Sequence, residues 1–498
     1  MDISFENRDL TIYTEYSHQT KRIQESAECV VPDTDADIDK IAGVMSEIYL
    51  KSKDLSARGV LISGEVSASV FYITDKKESV SSLTIRKPFS VEYEVDAPES
   101  ETLAQITLLI QGTDIRLVNP RKIAAGFEIE GDLSCYHSEK LRVESRLPEN
   151  APGLHARVEE QELTLPNAVC EKSVSINEQF PFPAGAALPV KLAGGKAELL
   201  VSDCQLIGTK VIVKGTAELR VCTFSEETGL PAAHSFSAPF SQIIDIGAES
   251  MSFCTVKPEV TGAYYDLVDT INGERALDME VHAVLQIVCS ERQKILCITD
   301  AYSNLMPADL LSRTQEYRES TPVQTLELSK EEQLGLMEPC SELLHVVSSV
   351  SRVSADAGKL SVSVTLDFLY RNAEGALSAG RRTLTLTKEL EGEELHILHI
   401  RALRVDTRAE GEAVNCSVTL IVCYCVTEKR ELSMVDGVIL NEEAVYIQES
   451  LPTLTLVRAE GESLWTLAKR YHSSEEMILK MNENIENAKH MLLIPKCI

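Results

Sequence analysis

Apolar and polar residues alternate along several stretches of the chain. Val60, Ile62, Val66, Ala68 and Val70 alternate with mostly polar partners around Gly64, and Phe89, Val91, Tyr93 and Val95 alternate with Ser90, Glu92 and Glu94. A two-residue period sends successive side chains to opposite faces, so each stretch predicts a strand with one buried and one wet face. Ile115 and Leu117, then Phe127, Ile129 and Gly131, continue the pattern across a turn at Asn119-Pro120. A different spacing precedes them. Ile38, Ile41 and Met45 follow Pro32 at helical intervals and predict a helix or helical turn. Asp33, Asp35 and Asp37 then read as acidic charge favoured at a helix start. As a calcium loop they fail, because Ile38 and Val44 stand where glycine and glutamate are required. Residues 1–28 read as a polar lead-in with a short strand at 10–13.

The pattern repeats when the chain is slid against itself. Gly64 lies 24 residues before Pro88-Phe89, and Gly215 lies 24 residues before Pro239-Phe240, an offset of 151 between the copies. Ala217, Leu219 and Val221 alternate after Lys214-Gly215 as Val66, Ala68 and Val70 do after Ser63-Gly64. An offset of this length denotes tandem domains rather than a short solenoid repeat. A third copy lacks the Pro-Phe pair. Its strands are carried by Leu360, Val362, Val364, Leu366 and Phe368, then Leu384 and Leu386, and Gly411-Glu412 precedes a strand as Gly273-Glu274 does. Segments rich in proline and charge at 144–152, 305–322 and 440–452 read as linkers. The predicted domains are residues 1–145, 155–304, 320–446 and 453–497.

The last of these has its own pattern. Residues 453–457 predict a strand that Gly461 ends. Leu464, Leu467, Ala468 and Tyr471 then form one face of a two-turn helix capped by Ser463. Ser473 with Glu476 reads as a capping box for a second helix, with Met477, Ile478 and Met481 on its buried side. Residues 491–494 return as a strand stopped by Pro495, which makes a βααβ module.

Gly461-Glu462-Ser463-Leu464-Trp465, Tyr471, Asn482 and Ile494-Pro495 make this module resemble a LysM domain. It departs from that family where Glu462 replaces the commoner aspartate and Lys489-His490 replaces Gly-Gln. The resemblance implies binding of N-acetylglucosamine-containing glycans in a groove between Gly461, Glu462, Ser463 and Leu464 on one side and Asn484 and Ile485 on the other. Such modules also dock proteins, and the bland alternative makes Leu464 and Trp465 mere core. Three copies before such a tail resemble SPOCS-domain proteins of endospore formers. Val30-Val31-Pro32, the Gly64 strand ending in Val70-Phe71-Tyr72, and Pro88-Phe89 carry that likeness. It implies a mainly β chain of three sandwich- or barrel-like SPOCS-type domains plus LysM. It further implies a spore-coat morphogenetic protein in the mother-cell cytoplasm, at the forespore surface, docked on the coat's basal ATPase scaffold or another coat protein.

Composition narrows the classes of function. With 44% hydrophobic residues the chain can bury cores, and its net charge of −29 lies wholly in the first 451 residues, since six basic and six acidic residues balance from 452 onward. Such a surface repels phosphate backbones and anionic lipid, arguing against nucleic-acid binding. No run nears the ~20 apolar residues of a membrane span, so no membrane insertion is expected. The opening residues, MDISFENRDL, carry acids where a secretory signal needs lysines. Thirteen scattered cysteines fit reduced thiols inside a cell. Neither a phosphate-binding loop, HExxH nor Gly-x-Ser-x-Gly occurs. Cys423-Tyr424-Cys425 is spaced too closely for a zinc pair, and Glu391, Glu393 and Glu394 read as a solvated turn in a chain with 5% aromatics. The expectation is a non-enzymatic scaffold with no cofactor or metal, whose alternative is a peptidoglycan- or cortex-glycan-binding protein anchored through its tail.

Overall fold

The structure is a computed structural model that describes residues 2–76, 79–96, 102–148, 151, 153–182, 189–356, 358–392, 394–446, 453–458, 461–482 and 491–496. After a short strand β1 (Asp2–Ser4), six strands form the first unit: β2 (Glu6–Val30), β3 (Ile38–Ser56), β4 (Gly59–Thr74), β5 (Val80–Glu94), β6 (Leu103–Asn119) and β7 (Lys122–Arg146). They make two antiparallel three-stranded sheets, ordered β3-β4-β5 and β2-β7-β6. Their apolar faces meet in one core, where Ile62, Val66 and Tyr93 face Ile106, Phe127 and Ile129. The alternation read from the sequence is what makes this possible, because each sheet has one apolar face to bury.

The same plan recurs twice. The second unit has β8 (Leu154–Pro181), β9 (Pro189–Ile207), β10 (Lys210–Ser225), β11 (Pro231–Asp245), β12 (Phe253–Asp269) and β13 (Arg275–Ser303), paired as β9-β10-β11 and β8-β13-β12. In the third, β14 (Ala308–Ser320) and β15 (Gln324–Gly335) together take the place of the first strand, and β16 (Cys340–Asp356), β17 (Lys359–Asn372), β18 (Leu377–Glu389), β19 (Glu394–Glu410) and β20 (Ala413–Leu440) follow. The segment 305–322, expected as a linker, therefore contains a strand. β14 pairs with the far half of β20 from Ala308↔Leu440 to Ser320↔Thr427, and Thr321-Pro322-Val323 merely interrupts it before β15. Proline supplies no amide for a ladder, which is why the strand breaks there.

Three further expectations fail. No helix forms after Pro32; β3 is a strand pairing with β4, with register shifts at Ile38/Lys40, Ile41/Gly43 and Leu50/Ser52. Each bulge inserts one residue, so alternation acquires three-residue steps and imitates a helix. Asp33 and Asp37 are not helix-start charges either. They hold Arg121, whose guanidinium also donates to the carbonyls of Val31 (3.1 Å) and Pro32 (2.9 Å), closing the β2–β3 loop over the β6–β7 turn. The polar lead-in is likewise a 25-residue strand, β2, rather than a short one.

The three units share their outer cores. Phe71, Ile73 and Val80 of the first unit pack with Ala193, Cys222 and Phe224 of the second and Leu369, Leu377 and Ala379 of the third. At the other end the long strand pairs project as ribbons whose residues Ile12 and Leu141, Leu163 and Ile295, and Tyr317 and Leu432 form a second shared cluster. Polar side chains fasten the seams. Gln286 of β13 donates to the Ile106 carbonyl (2.7 Å) and accepts from its amide (2.8 Å), Val44 donates to Asp367 (3.0 Å), and Val353 donates to Gln111 (2.8 Å). The tail comprises strands β21 (Leu454–Val457) and β22 (Leu492–Pro495), paired antiparallel, around helices α1 (Leu464–Arg470) and α2 (Glu475–Met481).

Candidate docking face of the C-terminal module

Ser463 starts α1 as the sequence predicts, accepting from the Thr466 amide at 3.1 Å. Leu467 and Ala468 are fully buried, with Leu464 and Tyr471 packed on the edge of the same small core. The second cap falls one residue later than expected. Ser474 accepts from the Met477 amide (3.2 Å), whereas the hydroxyl of Ser473 donates to the Pro495 carbonyl (2.5 Å) and ties α2 to the closing strand. Of the three residues placed on the buried side of α2, Ile478 is buried, Met477 is half-buried and Met481 is exposed. Asn482 ends the helix with a clip. Its side chain donates to Ile478 and Leu493 carbonyls (both 2.7 Å) and accepts from the Leu493 amide (2.8 Å).

One wall of the expected groove lies open. Gly461, Glu462 and Ser463 are exposed and Leu464 is half-buried. Gly461 has φ of +84° with nothing within 4 Å of where a Cβ would stand, so glycine is there for its backbone conformation and not for close packing. Glu462 is engaged by both terminal nitrogens of Arg470, at 3.1 and 2.5 Å. The other expected wall, Asn484 and Ile485, lies outside the described residues, as does Lys489-His490.

The opposite side of α1 is attached to the second unit. Trp465 is 7% exposed, and its indole Nε1 donates to Asp300 of β13 at 2.7 Å. Lys469, one turn along, reaches both oxygens of the same carboxylate at 2.6 and 2.9 Å. Burial pushes the Asp300 pKa up, but the bonds from Lys469 and Trp465 outweigh it and hold the group below its ordinary value. Tyr302 stands edge-on to the indole at 4.9 Å, donates to the Ser473 carbonyl at 2.8 Å and stacks on His155 at 5.1 Å. The ring of His472 lies 3.9 Å from that of Tyr446. Asp300, Tyr302 and His155 had no sequence signal, because they sit on a strand pair far away in the chain.

A second concavity lies where the three units meet, a cavity of about 180 Å³ lined by Glu47, Lys196, Glu198, Glu259 and His399 among others. Its carboxyls are committed to the wall. Burial raises Glu47 to about 7 while Tyr49 and Tyr265 donate to it. Glu259, raised by burial to about 8, accepts from the Leu108 amide at 3.3 Å. Glu198 is largely shielded, but Lys196 at 2.5 Å brings it down to about 2.

Known proteins bear on the body of the chain. Residues 37–118 and 192–268 each match the family model described as SipL, SPOCS domain. Two of the three units are thus similar to SPOCS domains over these stretches. The matched stretches run from β3 to β6 and from β9 to β12, and so contain the two equally spaced Gly64/Phe89 and Gly215/Phe240 positions, which the structure pairs across neighbouring strands. The SPOCS match points to a sporulation-related protein. No curated protein and no solved structure matches. Among the described residues no helix is long and apolar enough to cross a membrane.

Proposed function

We propose that the chain is a non-enzymatic scaffold of endospore formation, in which the packed SPOCS-type body holds a LysM-like head for docking onto a spore-coat partner. One observation carries the reading. The head is gripped through Trp465, Lys469 and Ser473, whereas Gly461, Glu462 and Ser463 on the loop before α1 stay exposed. A loop that is open on a head that is fixed presents its surface in one orientation, which lowers the ordering cost of capture. The partner expected from the family likeness is the coat's ATPase scaffold or a neighbouring coat protein, in the mother-cell cytoplasm at the forespore surface.

The test is capture of that scaffold by the full chain and by a Glu462→Ala/Leu464→Ala variant whose Trp465 emission is unchanged. Capture weakened about tenfold or more supports docking through this loop; equal capture removes the head's assigned role. Titrating chitin oligomers into the full chain distinguishes the glycan alternative. Saturable binding lost in the same variant, without loss of protein capture, would replace docking by glycan recognition.

A further inference from the structure

Among the described residues one group of side chains has metal-ligating composition and spacing. His18 of β2 and Glu394 and His396 of β19 each offer one ligand atom, and these atoms lie within 4.8 Å of one another at the seam between the first and third units. Two structural facts assemble them. Glu394 and His396 are two apart on one strand and therefore share a face, while β2 runs past that face so that the rings of His18 and His396 meet edge-on at 4.7 Å.

Asp132 of β7 completes the arrangement. It bonds Nε2 of His18 at 2.5 Å, accepts from Thr20 at 3.0 Å, and faces Nδ1 of His396 at 3.9 Å. Each ring thus turns one nitrogen to a shared carboxylate and keeps the other. The remaining nitrogen of His396, Nε2, is buried without a hydrogen-bond partner, and the residue is 6% exposed. A buried polar nitrogen left unpaired is destabilising, and imidazoles oriented by a carboxylate on their far nitrogen are the usual second sphere of a metal centre. A cavity of about 40 Å³ lined by His396, Lys257 and Arg318 adjoins the cluster and has room for one water. Arg318 binds both Glu394 and Glu15, so its charge is balanced locally by two carboxylates.

We propose that His18, Glu394 and His396 form a site for a divalent transition metal of the zinc class, with Asp132 positioning both imidazoles and a water as fourth ligand. Two imidazoles and a carboxylate with an open position suit Zn²⁺ better than Ca²⁺ or Mg²⁺, which take all-oxygen shells. Seating the ion draws the three donor atoms to about 3.3 Å from one another, the spacing of tetrahedral ligands at Zn–N distances. Glu394, with 39% of its side chain exposed, can supply that movement. The ion would staple β2 to β19, tying the first unit to the third.

The test uses the full chain, stripped with chelator and titrated with Zn²⁺ against a competing indicator, then with Co²⁺ while its absorption is recorded. One equivalent is expected at micromolar or tighter affinity, with Co²⁺ bands of nitrogen and oxygen ligation and no thiolate charge-transfer band. Affinity should fall about a hundredfold in His396→Ala and His18→Gln, and about tenfold to a hundredfold in Asp132→Asn, which acts through the rings. Should His396→Ala fail to fold, Glu394→Gln at the exposed end of the cluster decides, with at least about a tenfold loss expected. Absence of binding, binding unchanged in Glu394→Gln and His18→Gln, or a thiolate band showing that cysteines hold the metal would each overturn the site.

Discussion

Trp465 illustrates how a residue can be legible in type and illegible in role. Its place after Gly461-Glu462-Ser463-Leu464 marks it as buried, and it is, but its indole N–H is spent on Asp300 of another unit. The chain has one tryptophan, so its fluorescence reports this contact alone. Asp300→Ala should shift the emission to the red at neutral pH while the far-ultraviolet circular dichroism stays unchanged; an unshifted spectrum would mean the indole is held by Tyr302 alone. In the native chain, the folded pKa of Asp300 lies below the ordinary value of 3.8. Its contribution to docking is therefore fully present above that value and is lost as pH falls through the lowered one. The two serines beside α2 show the limit of local reading. Either could cap the helix, and only the bond from Ser473 to the Pro495 carbonyl decides that Ser474 does.

At the scale of elements, the repeat read from the sequence has a structural cause. Gly64 is paired with Phe89 across β4 and β5, and Gly215 with Phe240 across β10 and β11. The ring lies over the glycine in both. A Cβ on Gly64 would stand 2.3 Å from the Phe89 ring and 2.7 Å from the Tyr49 carbonyl, so larger residues are shut out. In the third unit the pair at the same place, beside the bulge between Val350 and Arg352, is Val364 with Leu384, so neither glycine nor an aromatic ring stands there. Gly64→Ala is expected to cost on the order of 1–3 kcal/mol in urea denaturation, and adding Phe89→Leu should recover part of it. Recovery of nothing would show the Tyr49 carbonyl to be the whole obstacle. Strand β3 imitates a helix over Ile38, Ile41 and Met45 because the bulges at Ile38/Lys40 and Ile41/Gly43 break its two-residue period.

The whole molecule differs most from what the chain order suggests. Tandem copies invite the picture of beads on a string, but Phe71, Cys222 and Leu369 lie in one cluster and Ile12, Ile295 and Leu432 in another. Interface groups should then govern global stability. Glu259 on β12, buried against the Leu108 amide of the first unit, has its pKa raised from 4.5 to about 8. A raised pKa means its contribution is fully present below the unfolded value near 4.5 and is lost as pH rises through about 8. The melting temperature should accordingly fall between about pH 5 and about pH 9, and Glu259→Gln should flatten that fall by a few degrees. An unaltered slope would place the pH response elsewhere. His18 and His396 likewise meet through the closing of the first unit on the third.

The sequence by itself determined the regularly alternating strands, their repeated order, the turn at Asn119-Pro120 and the βααβ tail, because side-chain alternation, glycine conformation and helix capping act over a few residues; the bulged β3, the long β2 and the strand β14 lay beyond it. The tertiary structure decided which faces of different units meet: Asp300 under Trp465, Gln286 on Ile106, Asp132 between two histidines. Those contacts join residues more than a hundred positions apart, and a local period holds no information about them. They exist because each sheet leaves exposed backbone and apolar edge that only another unit can cover.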